Sequence, residues 1–131
     1  MKKILVFGGF GFLGYYLVRE LLIRGYEVTI ADINENEKFS SKIKFIKCNI
    51  NSKKNVENVF KNKRFDFVYN LAGFANLDNA IRNPLETIQL NVIANMYILE
   101  QCVKNNISRF VYASSAYAMS NKGSFYGISK L

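Results

Sequence analysis

The segment GGFGFLG, residues 8–14, decides the fold of this chain. It follows the apolar run Lys3 to Phe7 and leads into apolar residues at helical spacing from Phe12 to Arg24, with Gly25 as the expected C-terminal cap. Glycines between a strand and a helix allow a tight reversal, a close approach of backbone to phosphate, and close packing of the helix on the strand. The segment therefore predicts a pyrophosphate-binding turn at a helix N-terminus, and the alternative is a glycine-rich turn without a ligand.

One acidic residue supports a dinucleotide at this turn. Asp32 follows the next predicted strand, Glu27 to Ala31, at a distance of 18 residues from Gly14. A carboxylate in this position accepts hydrogen bonds from the adenosine ribose and repels a 2′-phosphate, so it favours NAD over NADP. Lys38, the next basic residue, is too displaced to indicate NADP. The alternative role of Asp32 is to cap or solubilise a strand end.

Strands and helices alternate along the remaining sequence. Short apolar runs predict further strands at residues 43–47, 66–70 and 108–113. Helical patterns predict one helix capped by Ser52 and a long helix from Pro84 to about Asn105, capped by Asn83. This alternation predicts an α/β fold, a doubly wound parallel sheet in the order 3-2-1-4-5, with its ligand crevice outside the carboxyl ends of strands one and four.

The composition restricts the class of protein. The 131 residues, half of them apolar, are enough for one domain with a buried core. Two cysteines without histidine exclude the usual zinc spacings, so we expect no metal site and two reduced thiols in a cytoplasmic protein. The glycines interrupt the apolar N-terminal run, so no signal peptide is expected, and the run is too short to span a bilayer.

The net charge of +8 comes from one part of the chain. Nine basic residues and one acidic residue lie between Lys38 and Arg64. A basic patch of this kind can bind nucleic acid or another anion. The basic residues lack the interleaved arginines and aromatic residues that base stacking uses, so a solvated surface is favoured and nucleic acid is not expected as a partner.

The motifs taken together resemble a known family. The glycines are spaced G-x-x-G-x-x-G, and the chain also contains a Ser114-Ser115 pair and the sequence YGISK from Tyr126 to Lys130. This combination resembles the extended short-chain dehydrogenase/reductase family, and within it the NAD-dependent sugar-nucleotide epimerases and dehydratases. The resemblance runs from Lys3 to the last residue.

The resemblance implies a set of contacts with NAD. Asn49 and Ile50 stand where the family places an acidic and an apolar residue against the adenine, and the amide oxygen of an asparagine can still accept from the adenine amino group. Asn91 matches an asparagine on a family helix, although without the resemblance it would be taken for a solvated or capping residue. The implied cofactor-binding residues are Gly8, Gly11, Phe12, Leu13, Gly14, Asp32, Asn49, Ile50, Leu71, Ala72, Gly73, Asn91, Tyr126 and Lys130.

The resemblance also implies a catalytic trio of Ser115, Tyr126 and Lys130. Tyr126 and Lys130 are four residues apart, and hence lie one above the other on a helix face. A nearby ammonium lowers the pKa of a phenol from about 10, so that tyrosine can act as a base near neutral pH. Ser115 would hydrogen-bond the substrate hydroxyl, and Lys130 would also hold the nicotinamide ribose.

Two further expectations concern the reaction and the extent of the chain. Family dehydratases have Thr-Asp-Glu where this chain has Ser114-Ser115-Ala116, so the epimerase is favoured, although Met119-Ser120 departs from the Tyr-Gly often found there. Family members are longer and end in a small substrate domain. We therefore expect residues 1–131 to form a NAD-binding Rossmann domain that is incomplete at its C-terminus, without the later strands and the nucleotide-sugar site.

Two functions remain open at this stage. The first is an epimerase, or a fragment of one, that acts on a nucleotide sugar by transient oxidation. The second is a NAD-binding module without turnover of its own. The resemblance adds a homodimer as an expected partner, formed through the helices that follow strands four and five.

Overall fold

A five-stranded parallel sheet organises the chain. The computed structural model describes residues 1–36, 39 and 43–131, so Lys38 and Lys42 of the basic stretch lie outside the described residues. The sheet has the order β3-β2-β1-β4-β5, as the sequence predicts. Its strands are β1 (Lys3–Phe7), β2 (Glu27–Asp32), β3 (Lys44–Lys47), β4 (Phe67–Asn70) and β5 (Arg109–Tyr112).

Helices connect the strands and cover both faces of the sheet. They are α1 (Phe12–Ile23), α2 (Lys53–Phe60), α3 (Leu77–Arg82), α4 (Pro84–Ile88), α5 (Ala94–Lys104) and α6 (Ser124–Ser129). A π-helical segment (Gln89–Ile93) joins α4 to α5, and a 3₁₀ turn (Ala116–Met119) follows β5.

The register of the central strands aligns their carboxyl ends. Phe7 pairs with Ala31 of β2 on one side and with Asn70 of β4 on the other. The segments that leave these three strands therefore begin at the same edge of the sheet. This is the edge where open α/β sheets bind ligands.

The side chains of β1 alternate between two buried clusters. Leu5 and Phe7 join residues of α2 and α5, whereas Ile4 and Val6 join Val18 and other residues of α1. These four apolar side chains are at most 1% exposed. Burial on both faces explains why the run is continuously apolar rather than alternating.

The predicted long helix from Pro84 to about Asn105 is confirmed in its extent, because α4, the π-helical segment and α5 follow one another without a break from Pro84 to Lys104. The π-helical segment within it and the short helix α3 before it were not predicted. Insertion of one residue into the helical ladder turns Asn91 toward neighbouring segments, a use of π-bulges that is common at functional sites. Helical periodicity in the sequence does not reveal such an insertion.

Helix caps were predicted with mixed success. The Ser52 hydroxyl accepts a hydrogen bond from the backbone N–H of Asn55 at 3.2 Å, which confirms the predicted cap. Gly25 adopts φ +80° directly after the C-cap of α1, as predicted. Asn83 is the N-cap residue of α4, as predicted, but its side chain makes no capping hydrogen bond and donates instead to the carbonyl of Asn79 at 3.1 Å.

Candidate functional site

A cleft of about 590 Å³ opens at the carboxyl ends of β1, β2 and β4. We call it the strand-end cleft. Its lining includes eight of the residues predicted to bind the cofactor, namely Gly8, Gly11, Asp32, Asn49, Ile50, Leu71, Ala72 and Gly73. The glycine turn, the end of β2 and the end of β4 thus meet around one volume.

Two glycines of the turn are required by close contacts. Gly8 has φ +75°, and a Cβ added there would lie 2.7 Å from the backbone nitrogen of Ala72. A Cβ on Gly14 would collide with the carbonyl oxygen of Gly8 and the backbone of Gly9. Gly14 is therefore buried behind the turn, where it lets α1 pack against the strand end.

The start of α1 meets the needs of an anionic ligand. Gly11 is the N-cap residue and has no side chain that could cap the first N–H groups of the helix. These groups and the positive end of the helix dipole are therefore free to bind phosphate. Phe12 and Leu13 contribute backbone to this end, but their side chains are 83% and 57% exposed.

Asp32 braces the glycine turn from the end of β2. One carboxylate oxygen accepts from the backbone N–H of Phe10 at 3.0 Å, and the other accepts from that of Ile33 at 2.8 Å. Each oxygen retains a further acceptor site. Asp32 can therefore accept from a ribose hydroxyl while it holds the turn in place.

The far end of the cleft is formed by the segment after β3. Asn49 forms a turn in which its side-chain oxygen accepts from the backbone N–H of Asn51 at 3.0 Å. Ile50 beside it is 6% exposed and offers an apolar surface. Burial raises the pKa of the neighbouring Cys48 thiol to about 11, with a smaller contribution from Asp32, so this thiol remains protonated.

The segment after β4 is shaped by a residue that sequence analysis missed. Asn70 is fully buried, and its side-chain oxygen accepts from the backbone N–H of Ala72 at 3.1 Å. Its side-chain nitrogen donates to Asn95 of α5 at 2.8 Å. A polar residue at the end of an apolar strand was the available signal for this role.

Asn91 lies behind the cleft and joins three segments. Its side-chain oxygen accepts from the backbone N–H of Phe74 at 2.7 Å, and its nitrogen donates to the Phe74 carbonyl at 3.1 Å and to the Ser129 hydroxyl at 2.9 Å. Asn91 is 2% exposed. Its donors and acceptor are thus engaged within the protein, and it supports Gly73 and α6.

The three predicted catalytic residues lie around the end of β5. The Ser115 hydroxyl accepts from the backbone N–H of Tyr117 at 3.2 Å, which leaves its own O–H free to donate. The ring of Tyr126 is half-buried against Tyr117, with ring centroids 6.2 Å apart. Tyr126 belongs to α6, whereas Lys130 follows the last residue of that helix as its C-cap.

Lys130 is buried between β5 and the strand-end cleft. Its ammonium donates to the carbonyl of Ala113 at 3.1 Å and lies 4.7 Å from the ring centroid of Tyr112. Burial lowers the pKa of this amine. A Cβ on Gly73, which lines the cleft, would stand 3.5 Å from the Lys130 nitrogen. The ammonium therefore adjoins the cleft.

The described residues contain neither a metal-binding cluster nor a membrane-spanning helix. Within residues 1–36, 39 and 43–131, no cluster of three or more histidine, cysteine, aspartate or glutamate side chains has the arrangement of a metal site. Within the same ranges, no helix is both long and apolar enough to cross a membrane.

Comparison with known proteins identifies related sequences and structures. The sequence matches the NAD-dependent epimerase/dehydratase family over residues 4–129. It is 31% identical to a bifunctional UDP-glucose 4-epimerase and UDP-xylose 4-epimerase of Arabidopsis thaliana, over 88% of this chain and 37% of that protein. The chain thus spans well under half the length of this relative.

Solved structures agree with the sequence matches. The UDP-glucose 4-epimerase of Thermotoga maritima with UDP-glucose superposes with a TM-score of 0.88 and 27% identity, over 98% of this chain and 47% of that one. The enzyme of Thermus thermophilus in complex with NAD gives the same TM-score, identity and coverage.

Proposed function

The chain belongs to the NAD-dependent epimerase/dehydratase family, and we propose that its residues 1–131 form a NAD-binding domain that works on a nucleotide sugar. The proposed reaction is epimerisation, with Ser115, Tyr126 and Lys130 as the residues that handle the substrate proton. Because the chain spans less than half the length of the Arabidopsis thaliana and Thermotoga maritima relatives, the activity is proposed for the protein in which this domain acts.

The observation that carries this proposal is that Gly73 contacts both the strand-end cleft and the surroundings of Lys130. Gly73 lines the strand-end cleft, and its α-carbon faces the Lys130 ammonium closely enough that a Cβ would be 3.5 Å away. The cleft includes the glycine turn at the uncapped start of α1, which can receive a pyrophosphate. The catalytic lysine adjoins the same volume, so a cofactor in the cleft would meet the catalytic residues at this end.

Each residue of the trio has a distinct part in the proposed chemistry. NAD supplies the hydride acceptor when it is bound. Tyr126, as the phenolate, would take the proton from the substrate hydroxyl that is oxidised. The Lys130 ammonium would stabilise that phenolate and hold the nicotinamide ribose, and the Ser115 O–H would hold the reacting substrate oxygen.

The choice of epimerisation over dehydration rests on the residues near Ser115. The segment Ser114-Ser115-Ala116 contains no carboxylic acid, and elimination of water needs an acid and a base beside the sugar. Relatives described as UDP-glucose 4-epimerases support UDP-linked sugars as the substrate class. Dehydration remains the second reaction known for the family.

Binding of NAD is the first test, and it uses the chain itself. Calorimetric titration should give a dissociation constant for NAD that Asp32→Ala raises at least tenfold, because the ribose loses its acceptor and the turn loses its brace. Glu20→Ala, on the exposed side of α1, is the matched control and should bind as the unmodified chain does. Absence of binding at millimolar NAD would refute the proposal.

Turnover is the second test. In the protein in which this domain acts, conversion of UDP-glucose to UDP-galactose should be lost in Tyr126→Phe and retained in Tyr16→Phe, which changes an exposed tyrosine of α1. Activity that survives Tyr126→Phe would contradict the assigned mechanism. Tight NAD binding without conversion of any nucleotide sugar would instead identify the chain as a binding module.

A further inference from the structure

The Lys130 ammonium is held by few groups. It is buried, with the residue 6% exposed, and has three N–H donors. One donates to the carbonyl of Ala113, and the nitrogen also lies 4.7 Å from the ring centroid of Tyr112. A second N–H can face the Tyr112 ring, and the third can then point toward Gly73 of the strand-end cleft, where a Cβ would lie 3.5 Å from the nitrogen.

We propose that Tyr112 is a positioning residue for Lys130: its ring face stabilises the buried ammonium and directs the remaining N–H toward the cleft. An ammonium over an aromatic face is attracted by the ring quadrupole, and the attraction is stronger where water is excluded. This inference rests on the proposed function in one respect only, namely that the third N–H of Lys130 would donate to the nicotinamide ribose.

The hydroxyl of Tyr112 has a separate partner. It donates to the backbone carbonyl of Asn91 at 3.2 Å, within the π-helical segment. The ring therefore contacts Lys130, and the hydroxyl joins β5 to the helix that supports Gly73. Because the two contacts use different parts of one side chain, substitutions can separate them.

Charge near Lys130 makes the ring contact important. The Tyr112 phenol from β5 lies beside the ammonium, and Tyr126 from α6 adds to the rise in the Tyr112 pKa that burial causes. No carboxylate among the described residues raises the pKa of Lys130. The charge is therefore compensated by one carbonyl and one ring face. Loss of the ring should lower the pKa of the amine further, because the ring is one of the groups that stabilise the charged form against the effect of burial.

The test measures the pKa of the Lys130 amine by NMR in protein carrying isotope-labelled lysine, with the signal assigned by its loss in Lys130→Arg. Tyr112→Phe keeps the ring and should change this pKa by less than about 0.3 units, while lowering thermal stability through loss of the Asn91 contact. Tyr112→Leu should lower the pKa by roughly one unit.

A fluorinated series provides the decisive comparison if Tyr112→Leu does not fold. Phenylalanines with one, two and three ring fluorines at position 112 keep the shape but weaken the quadrupole, so the pKa should fall stepwise. Tyr97→Leu removes a ring 5.8 Å from the Lys53 nitrogen and is the control, which should leave Lys130 unchanged.

A pKa that is unchanged along the fluorinated series would overturn the proposal. The same holds if Tyr112→Phe lowers the pKa as much as Tyr112→Leu, because the hydroxyl would then be the group that acts. The measurement is made without NAD, so it fails or succeeds independently of cofactor binding.

Discussion

Replacement of Asn91 by alanine should destabilise the protein strongly. The substitution removes three hydrogen bonds, two to the backbone of Phe74 and one to Ser129. At about 1 kcal/mol net for each bond, the free energy of unfolding should fall by about 3 kcal/mol. The loss should be near this figure because Asn91 is 2% exposed, so water cannot readily replace the amide.

The matched control is Asn95→Ala, one turn further along the same helical stretch. It removes one hydrogen bond, from Asn70 to the Asn95 oxygen at 2.8 Å, and should lower the free energy of unfolding by about 1 kcal/mol. Both substitutions gain the same helix propensity, so this gain cancels in the difference. Urea denaturation followed by far-UV circular dichroism gives both values.

Hydrogen exchange at Phe74 provides a second measurement of the effect of Asn91→Ala. In Asn91→Ala the backbone amide of Phe74 loses its acceptor, and its hydrogen exchange should accelerate relative to Asn95→Ala. If Asn91→Ala costs no more than Asn95→Ala and leaves the Phe74 amide protected, Asn91 does not join the cleft to α6 as described.

Three further predictions concern the glycine turn, the two cysteine thiols and Asp66, which accepts a hydrogen bond from the first residue of β1. Gly8→Ala should abolish NAD binding and destabilise more than Gly25→Ala, because both have positive φ but only Gly8 lacks room for a Cβ; calorimetric titration and urea denaturation measure both effects. The Cys48 and Cys102 thiols, whose pKa values burial raises to about 11 and about 12, should react with a disulfide reagent at pH 8 slowly in the folded protein and rapidly in urea. The pKa of the Asp66 carboxyl is lowered from its ordinary value of 3.8, chiefly by the hydrogen bond from the backbone N–H of Lys3. The carboxylate therefore contributes fully to stability above pH 3.8, and this contribution is lost as the pH falls through the lower pKa of the folded protein. Asp66→Asn should flatten this acid part of the stability curve, as thermal denaturation at several pH values would show.

The sheet and the glycine turn could be predicted because their determinants are local. The run from Lys3 to Phe7, the glycines and the α1 pattern lie within one stretch of chain, and each follows a known periodicity or turn rule. The strand order follows from the alternation of strands and helices. The structure confirms the order β3-β2-β1-β4-β5.

The groups that shape the second half of the site could not be predicted in this way. Asn70 reaches α5 over 25 residues, and Asn91 reaches Ser129 over 38. Neither contact leaves a periodic signal, and Tyr112 looks in sequence like any aromatic residue of a strand. Family resemblance selected Asn91, but only the structure places its amide behind Gly73.

These long-range contacts link the wall of the strand-end cleft to the placement of Lys130. The Asn91 amide holds Phe74, next to Gly73 of the cleft, and also Ser129, next to Lys130. The Ser129 hydroxyl in turn donates to the carbonyl of Tyr126 at 2.8 Å. A shift of the π-helical segment would therefore move the cleft wall together with Tyr126 and Lys130, the two residues proposed to be catalytic, whereas a change in the glycine turn would affect the cleft alone. Substitutions at Gly8 and at Asn91 should therefore have different effects. Gly8→Ala should abolish NAD binding and leave the pKa of Lys130 unchanged, whereas Asn91→Ala should alter both NAD binding and that pKa.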